Sequence, residues 1–176
     1  NINETKSVDR PFTRISHNGI IQKDQILKSV TSSDDFSILK LKGPGVGGRP
    51  GILAKTTTEL DHLGINIKSV ITSQTSINFL LSNNDLPQAY QSMRDLDIHT
   101  VSELEVHKDL CLIAVVGEGL LDHHGIASGI LSALAKENIN IRMVSVGASQ
   151  VAAYFIIDQK DKTKAIQAIH RQIFTY

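Results

Sequence analysis

The chain repeats itself, and that limits its possible folds more than any other feature. Gly43-Pro44-Gly45 aligns with Gly117-Glu118-Gly119, 74 positions later (117 less 43). The same offset sets Gly51-Ile52 on Gly125-Ile126, Leu60 on Leu134 and Ile65-Asn66-Ile67 on Ile139-Asn140-Ile141. After a two-residue addition in the second copy, Ser73-Gln74 meets Ser149-Gln150, Phe79 meets Phe155, and Asp85 and Ala89 meet Asp161 and Ala165. Self-similarity of this kind means one supersecondary unit used twice. The two modules run over 36–106 and 110–176.

Each module carries the same alternation of periods. Phe36 to Lys42 alternates and breaks at glycines, which predicts a strand, and Leu110 to Val116 is its more apolar twin. Ile52, Leu53, Thr56, Leu60 and Leu63 recur near 3.6 residues and predict a helix; Ile126, Ile130, Leu131 and Leu134 do the same. Gly64 stands where a left-handed helix cap is expected, and Asn138 takes that place in the second copy. Strands over 65–72 and 76–82, a helix over 86–93 and a closing strand over 98–106 follow. The order is β-α-β-β-α-β, so the fold class is α+β with two ferredoxin-like modules. The second module lacks its closing strand, since only five residues follow its last helix (162–171). A leader segment, Gln25 to Val30, lacks a partner. The economical solution places the leader (25–31) in the second sheet, with the first module inserted in the second. Residues 1–24, polar and broken by Pro11 and Gly19, read as a linker.

Composition excludes several functions. Eighteen basic and eighteen acidic residues balance, whereas a nucleic-acid binder gathers a basic surplus. No apolar run approaches the roughly 18 residues of a membrane span. A lone cysteine, Cys111, can form neither an internal disulfide nor a thiolate metal cage, and its place on a strand predicts a small core residue. The chain starts at Asn1 with no apolar signal, so it is expected to be cytoplasmic and part of something longer. The sequon at Asn3 then has no meaning.

Gly43 to Gly48 satisfies the dinucleotide fingerprint G-x-G-x-x-G. The repeat argues against that reading, because Asp122 replaces the third glycine and Lys68 and Arg142 stand where an acid is needed. His123 and His124 point about 100° apart on a helix start and do not share a metal. Ser145, Ser149 and His170 have no triad spacing. No catalytic residue and no metal site is expected. A glycine-lined turn admitting a small ligand to a helix N-terminus is the favoured reading, with tight packing as the alternative.

Gly-Pro-Gly-Val-Gly-Gly-Arg-Pro-Gly-Ile-Leu-Ala (43–54), Gly-Ile-Asn-Ile (64–67) and Ile-Thr-Ser-Gln (71–74) resemble the first ACT domain of aspartate kinases. Val115 to Gly119, Gly125-Ile126, Asn138 to Met143, Gly147 to Gln150 and Lys164 to His170 resemble the second. Phe12 to Ser16 is similar to the segment joining the kinase and regulatory halves. The resemblance implies a regulatory region binding an end-product amino acid, threonine or lysine, at an ACT–ACT contact, with feedback inhibition as the outcome. It implies the inserted topology, a homodimer or larger assembly, and the parent's kinase domain as partner. It implies no cofactor in this chain; ATP and Mg belong to an absent catalytic domain. Neither nucleic acid nor membrane is an expected partner. A free-standing ACT pair or a separate regulatory subunit is the alternative.

Within that resemblance, the carboxylate of an effector suits backbone N–H groups from Arg49 to Ile52, including Gly51. Gly45, Gly47 and Gly48 would allow close approach. Asn66, Ile67 and Lys68 would face the ammonium, Val46 and Ile52 would line the side-chain pocket, and Thr72, Ser73 and Gln74 would complete it. The repeat marks a second possible site at Gly119, Leu120, Gly125, Ile126, Asn140 and Ile141. Ser73-Gln74 replaces the usual Ser-Ser-Glu, Lys68 stands where lysine-responsive relatives carry an acid, and Val146 replaces a common Gln. Lys68 and neutral Gln74 offer no anion to a lysine side chain, so threonine or another uncharged amino acid is expected. Phe36–Lys42 and Leu110–Val116 are the strands expected nearest a dimer contact.

Overall fold

The computed structural model describes residues 27–173 apart from Gly119 and Leu121. The expected linker over 1–24 and Gln25 and Ile26 of the leader lie outside the described residues. The chain runs β1 (Leu27–Lys42), α1 (Ile52–His62), β2 (Ser69–Ser73), β3 (Ser76–Leu81), α2 (Leu86–Asp95), β4 (Glu103–Gly117), α3 (Ile126–Lys136), β5 (Ile141–Ser145), β6 (Ala152–Asp158) and α4 (Lys162–Ile173). A single turn of 3₁₀-helix, Gln159–Asp161, leads into α4.

All six strands form one antiparallel sheet in the order β2-β3-β1-β4-β6-β5. Two long strands at its centre serve both modules. Ser37–Lys42 of β1 pairs with β3 on one side, and Ile38–Lys42 with Glu103–His107 of β4 on the other. Its earlier half, Leu27–Ser33, pairs with Leu112–Gly117, whose other neighbour is β6. The first module is therefore β2-β3-β1-β4 and the second β5-β6-β4-β1, each using one half of each long strand. The joint is marked by register shifts around Phe36 and by Asp109 at φ 55°.

The expected leader and first strand are thus one continuous β1, and the expected strands 98–106 and 110–116 are one β4. The closing strand begins at Glu103 rather than Ile98, because the Val101 N–H turns back to the Ile98 carbonyl at 2.8 Å. Likewise β2 begins at Ser69 rather than Ile65. The stretch before it is drawn under α1 by the Ile65 N–H, which donates to the Leu60 carbonyl at 2.9 Å.

The helices follow from spacing and caps. Ile52, Thr56 and Leu60 are the buried residues of α1, one per turn, and Ile130, Ala133 and Leu134 those of α3. Both helices begin at a left-handed glycine, Gly51 at φ 86° and Gly125 at φ 87°. Both end as the sequence predicts, at Gly64 (φ 68°) and Asn138 (φ 56°). The repeat is a repeat of backbone conformation as well as of letters.

Burying these helices makes two cores. Leu39, Leu41, Ile77 and Phe79 close the first under α1 and α2; Ile113, Val115, Phe155 and Ile157 close the second under α3 and α4. A third, smaller cluster of Ile38, Leu80, Leu110, Met143 and Ile156 lies on the other side of the sheet. Strands alternate faces, so Ile38 joins it while Leu39 does not.

Candidate functional site

The loop between β1 and α1 is pressed onto the β2–β3 hairpin. The Gly43 N–H donates to the Thr75 carbonyl at 3.0 Å and the Gly47 N–H to the Gln74 carbonyl at 3.3 Å. A Cβ on Gly43 would lie 1.7 Å from the Thr100 carbonyl oxygen, and one on Gly47 1.7 Å from that of Ser73. Those glycines are required by the protein's own backbone. The expectation that Gly47 leaves room for a ligand is corrected, since the hairpin fills that room.

Other expected roles are also revised. The Gly48 and Arg49 N–H groups both donate to the Gly45 carbonyl, at 3.1 and 3.0 Å, so Arg49 offers no free backbone donor. Val46 is fully buried in the first core and Leu120 nearly so in the second. They are equivalent core residues rather than pocket walls, because the tight loop turns the one apolar side chain inward. Ile52 is buried in the first core and Ile126 packs against the second.

Donors do remain at the helix start. Gly51 has no side chain to cap α1, and among the described residues no partner is found for the N–H groups of Ile52, Leu53 and Ala54. Three N–H groups at the positive end of a helix form an anion site. The exposed Arg49 side chain folds over Gly45, with Nε 3.3 Å from where a Cβ would stand. Gln74, Thr72 and Ser73 are exposed at the same end of the hairpin, where the Ser73 and Ser76 hydroxyls lie 2.9 Å apart. In the second module, Gly125 repeats the bare cap, and the Ser128 hydroxyl donates to its carbonyl at 2.9 Å. Gly119 lies outside the described residues; Asn140 is exposed and Ile141 packs on the second core.

Asn66, Ile67 and Lys68 are not brought to this place. The Lys68 N–H donates to the Leu80 carbonyl at 2.9 Å, at the start of β2, whereas Gln74 follows its end. Six residues of extended chain separate them by about 20 Å. Asn66 and Lys68 are exposed, and Ile67 rests against the first core. The expected pocket is split within one chain into a helix-start half and a Lys68 half.

The expected contact strands also change. Phe36–Lys42 and Leu110–Val116 are the middle of the sheet, hydrogen-bonded on both sides, so no other strand can pair with them. The outermost strands are β2 and β5, with Val70 and Val144 exposed at 40% and 43%. Sequence reasoning missed these residues. The available signal was Val70 and Val144 standing as apolar residues in the shortest strands.

Charges tie the elements together. Arg142 grips Asp158 with two bonds, of 2.8 and 3.0 Å, and holds that carboxyl below its usual range. Lys162 bonds Asp34 at 2.6 Å and lowers its pKa likewise, with help from the adjacent Cys111 thiol. Burial, then the nearby Asp34, pushes Cys111 up to about 12.

Residues 31–95 and 113–173 each match the sequence profile of an ACT domain. Over 155 residues the chain is 28% identical to the bifunctional aspartokinase/homoserine dehydrogenase of Haemophilus influenzae, covering 84% of this chain and 19% of that protein. The regulatory subunit of aspartate kinase from Thermus thermophilus, in a ligand-free form, superposes with a TM-score of 0.76 at 22% identity, over 83% of this chain and 98% of that one. E. coli aspartokinase III in complex with lysine and aspartate superposes at 0.70 and 22% identity, over 87% and 34%. These solved structures share the fold. The chain spans about a fifth of the length of the Haemophilus relative.

Proposed function

We propose that this chain, which belongs to the ACT-domain family and is organised as the C-terminal regulatory region of aspartate kinases, senses an amino acid and sets the activity of a kinase domain. The observation that carries the reading is the bare start of α1, with its three N–H groups, beside Arg49 and the Gln74 end of an unpaired edge strand. The effector carboxylate sits on those N–H groups.

The half of the pocket missing from one chain comes from a second. If two β2 edges pair antiparallel about a two-fold axis centred on Ile71, Lys68 of one protomer comes beside Gln74 of its partner. Unpaired edge strands favour such additions. Ligand and dimer geometry are then coupled, and a preference of about 1–3 kcal/mol for one arrangement shifts activity several-fold. The support from E. coli aspartokinase III is its complex with lysine. Here Lys68 is a like charge for a lysine side chain and Gln74 is neutral, which favours threonine or another uncharged amino acid. ATP and Mg enter with the kinase domain, and no group of residues that could hold a metal is found among the described residues. We place it in the cytoplasm with its kinase domain. No helix among the described residues is long and apolar enough to cross a membrane.

Calorimetric titration with threonine, lysine and methionine tests this. Threonine should bind more tightly than lysine, and Lys68→Asp should move the preference towards lysine. No heat from any of the three at millimolar concentration, or an unmoved preference, refutes the effector assignment.

A further inference from the structure

β2 and β5 are the two outermost strands of a six-stranded sheet. In a flat sheet they would stand about 24 Å apart. Yet Lys68 and Ser69 at the start of β2 line the same cleft as Met143, Val144 and Ser145 of β5. The sheet therefore curls until its edges approach across the face that carries no helix. The cleft so formed has a volume of about 290 Å³, and all six strands contribute to it.

Its floor is apolar. Phe36, Leu80, Leu112, Met143 and Ile156 come from five successive strands, and Leu80, Met143 and Ile156 are buried members of the third cluster. Its rim is polar and carries one charge, Lys68, which is paired with no carboxylate among the described residues. Tyr154, paired across the strands with Ser145, lies at the same wall. Apolar floors with a few placed polar groups are the usual form of small-molecule sites.

We propose that this cleft binds a small monocarboxylate with a branched or aromatic body and no ammonium group, such as a short 2-oxo acid. The body displaces water from the floor, and the carboxylate meets Lys68 at the mouth. No carboxylate lines the cleft, so an α-ammonium placed there would be desolvated without a partner. That separates this ligand class from the zwitterionic effector at the α1 start. Because the walls come from both modules, occupancy ties the two edges of the sheet together. Lys68 also borders the proposed effector pocket, so the two readings are told apart at Ala148, which lines the cleft alone.

The chain contains two methionines, which makes the test direct. Met143 lines the cleft, and Met93 lies on the buried face of α2 in the first core. With ¹³C-methyl methionine in the full chain, 4-methyl-2-oxopentanoate or phenylpyruvate should move the Met143 methyl signal and leave Met93 in place. Leucine at the same concentration should move Met143 at least tenfold less effectively. Lys68→Gln should weaken the acids at least tenfold without changing the response to uncharged 4-methyl-2-pentanone. Ala148→Trp, at an exposed position on the rim, should block all three compounds and leave amino-acid binding intact. An unmoved Met143 at 10 mM acid, equal responses of both methyls, leucine as effective as its oxo acid, or an unaffected Lys68→Gln each overturns the proposal.

Discussion

Gly47 and Gly48 are neighbours in one glycine-rich run, but they do different work. A Cβ on Gly47 would overlap the Ser73 carbonyl oxygen, while one on Gly48 would meet only the Gly45 oxygen at 3.9 Å. Neither has a positive φ, so the contrast is one of space. Gly47→Ala should cost about 2–4 kcal/mol by urea unfolding, and Gly48→Ala less than about 0.5. Equal losses would show that the loop is not held against the hairpin. The letters of this run were legible as a turn, but the contact was not, because Ser73 is brought there by the β2–β3 pairing. Cys111 is the converse case: its strand pattern already predicted a core residue, and it is fully buried. With its thiol pushed up to about 12, the thiolate fraction at pH 8 is about 10⁻⁴. Ellman's reagent should leave native protein unmodified at pH 8 and react with one equivalent after unfolding; rapid native reaction would contradict the packing.

At the scale of elements, edge strand β5 is short, with a register shift between Ile141 and Met143, and is tied to β6 by Arg142 and Asp158. Asp158 is held below its ordinary value, chiefly by its hydrogen bond to Arg142. A depressed carboxyl stabilises the fold above its unfolded pKa, and that contribution fades as pH falls through the folded value. Arg142→Gln should therefore lower stability by about 0.5–1 kcal/mol at pH 7, and the difference should vanish near pH 2. A difference that persists in acid would assign the loss to packing. The part of β1 over Thr31–Ser33 shows why strand extents were harder to read than helices. Its polar letters look like a connection, but in the second module it pairs on one side only. One-sided pairing tolerates polar side chains that a central strand would not.

At the scale of the whole molecule, one face of the sheet carries helices and the other carries a curled cleft, with β2 and β5 unpaired at its edges. Exposed Val70 and Val144 on those edges favour a second copy. Light scattering at tens of micromolar should give at least a dimer, and Val70→Lys should shift it towards monomer; a wild-type monomer would remove the shared-pocket reading. What the sequence determined by itself is the repeat, the helix spacing and the left-handed caps at Gly64 and Asn138. Each depends on the torsions and side-chain periods of a few neighbouring residues. Only the tertiary structure decided that two pairs of expected strands are single long ones, that β2 and β5 are the edges, and that Lys68 and Gln74 stand at opposite ends of one strand. These follow from which strand lies beside which and from how far the sheet curls. Both are set by contacts between residues distant in the chain, and no local pattern encodes them.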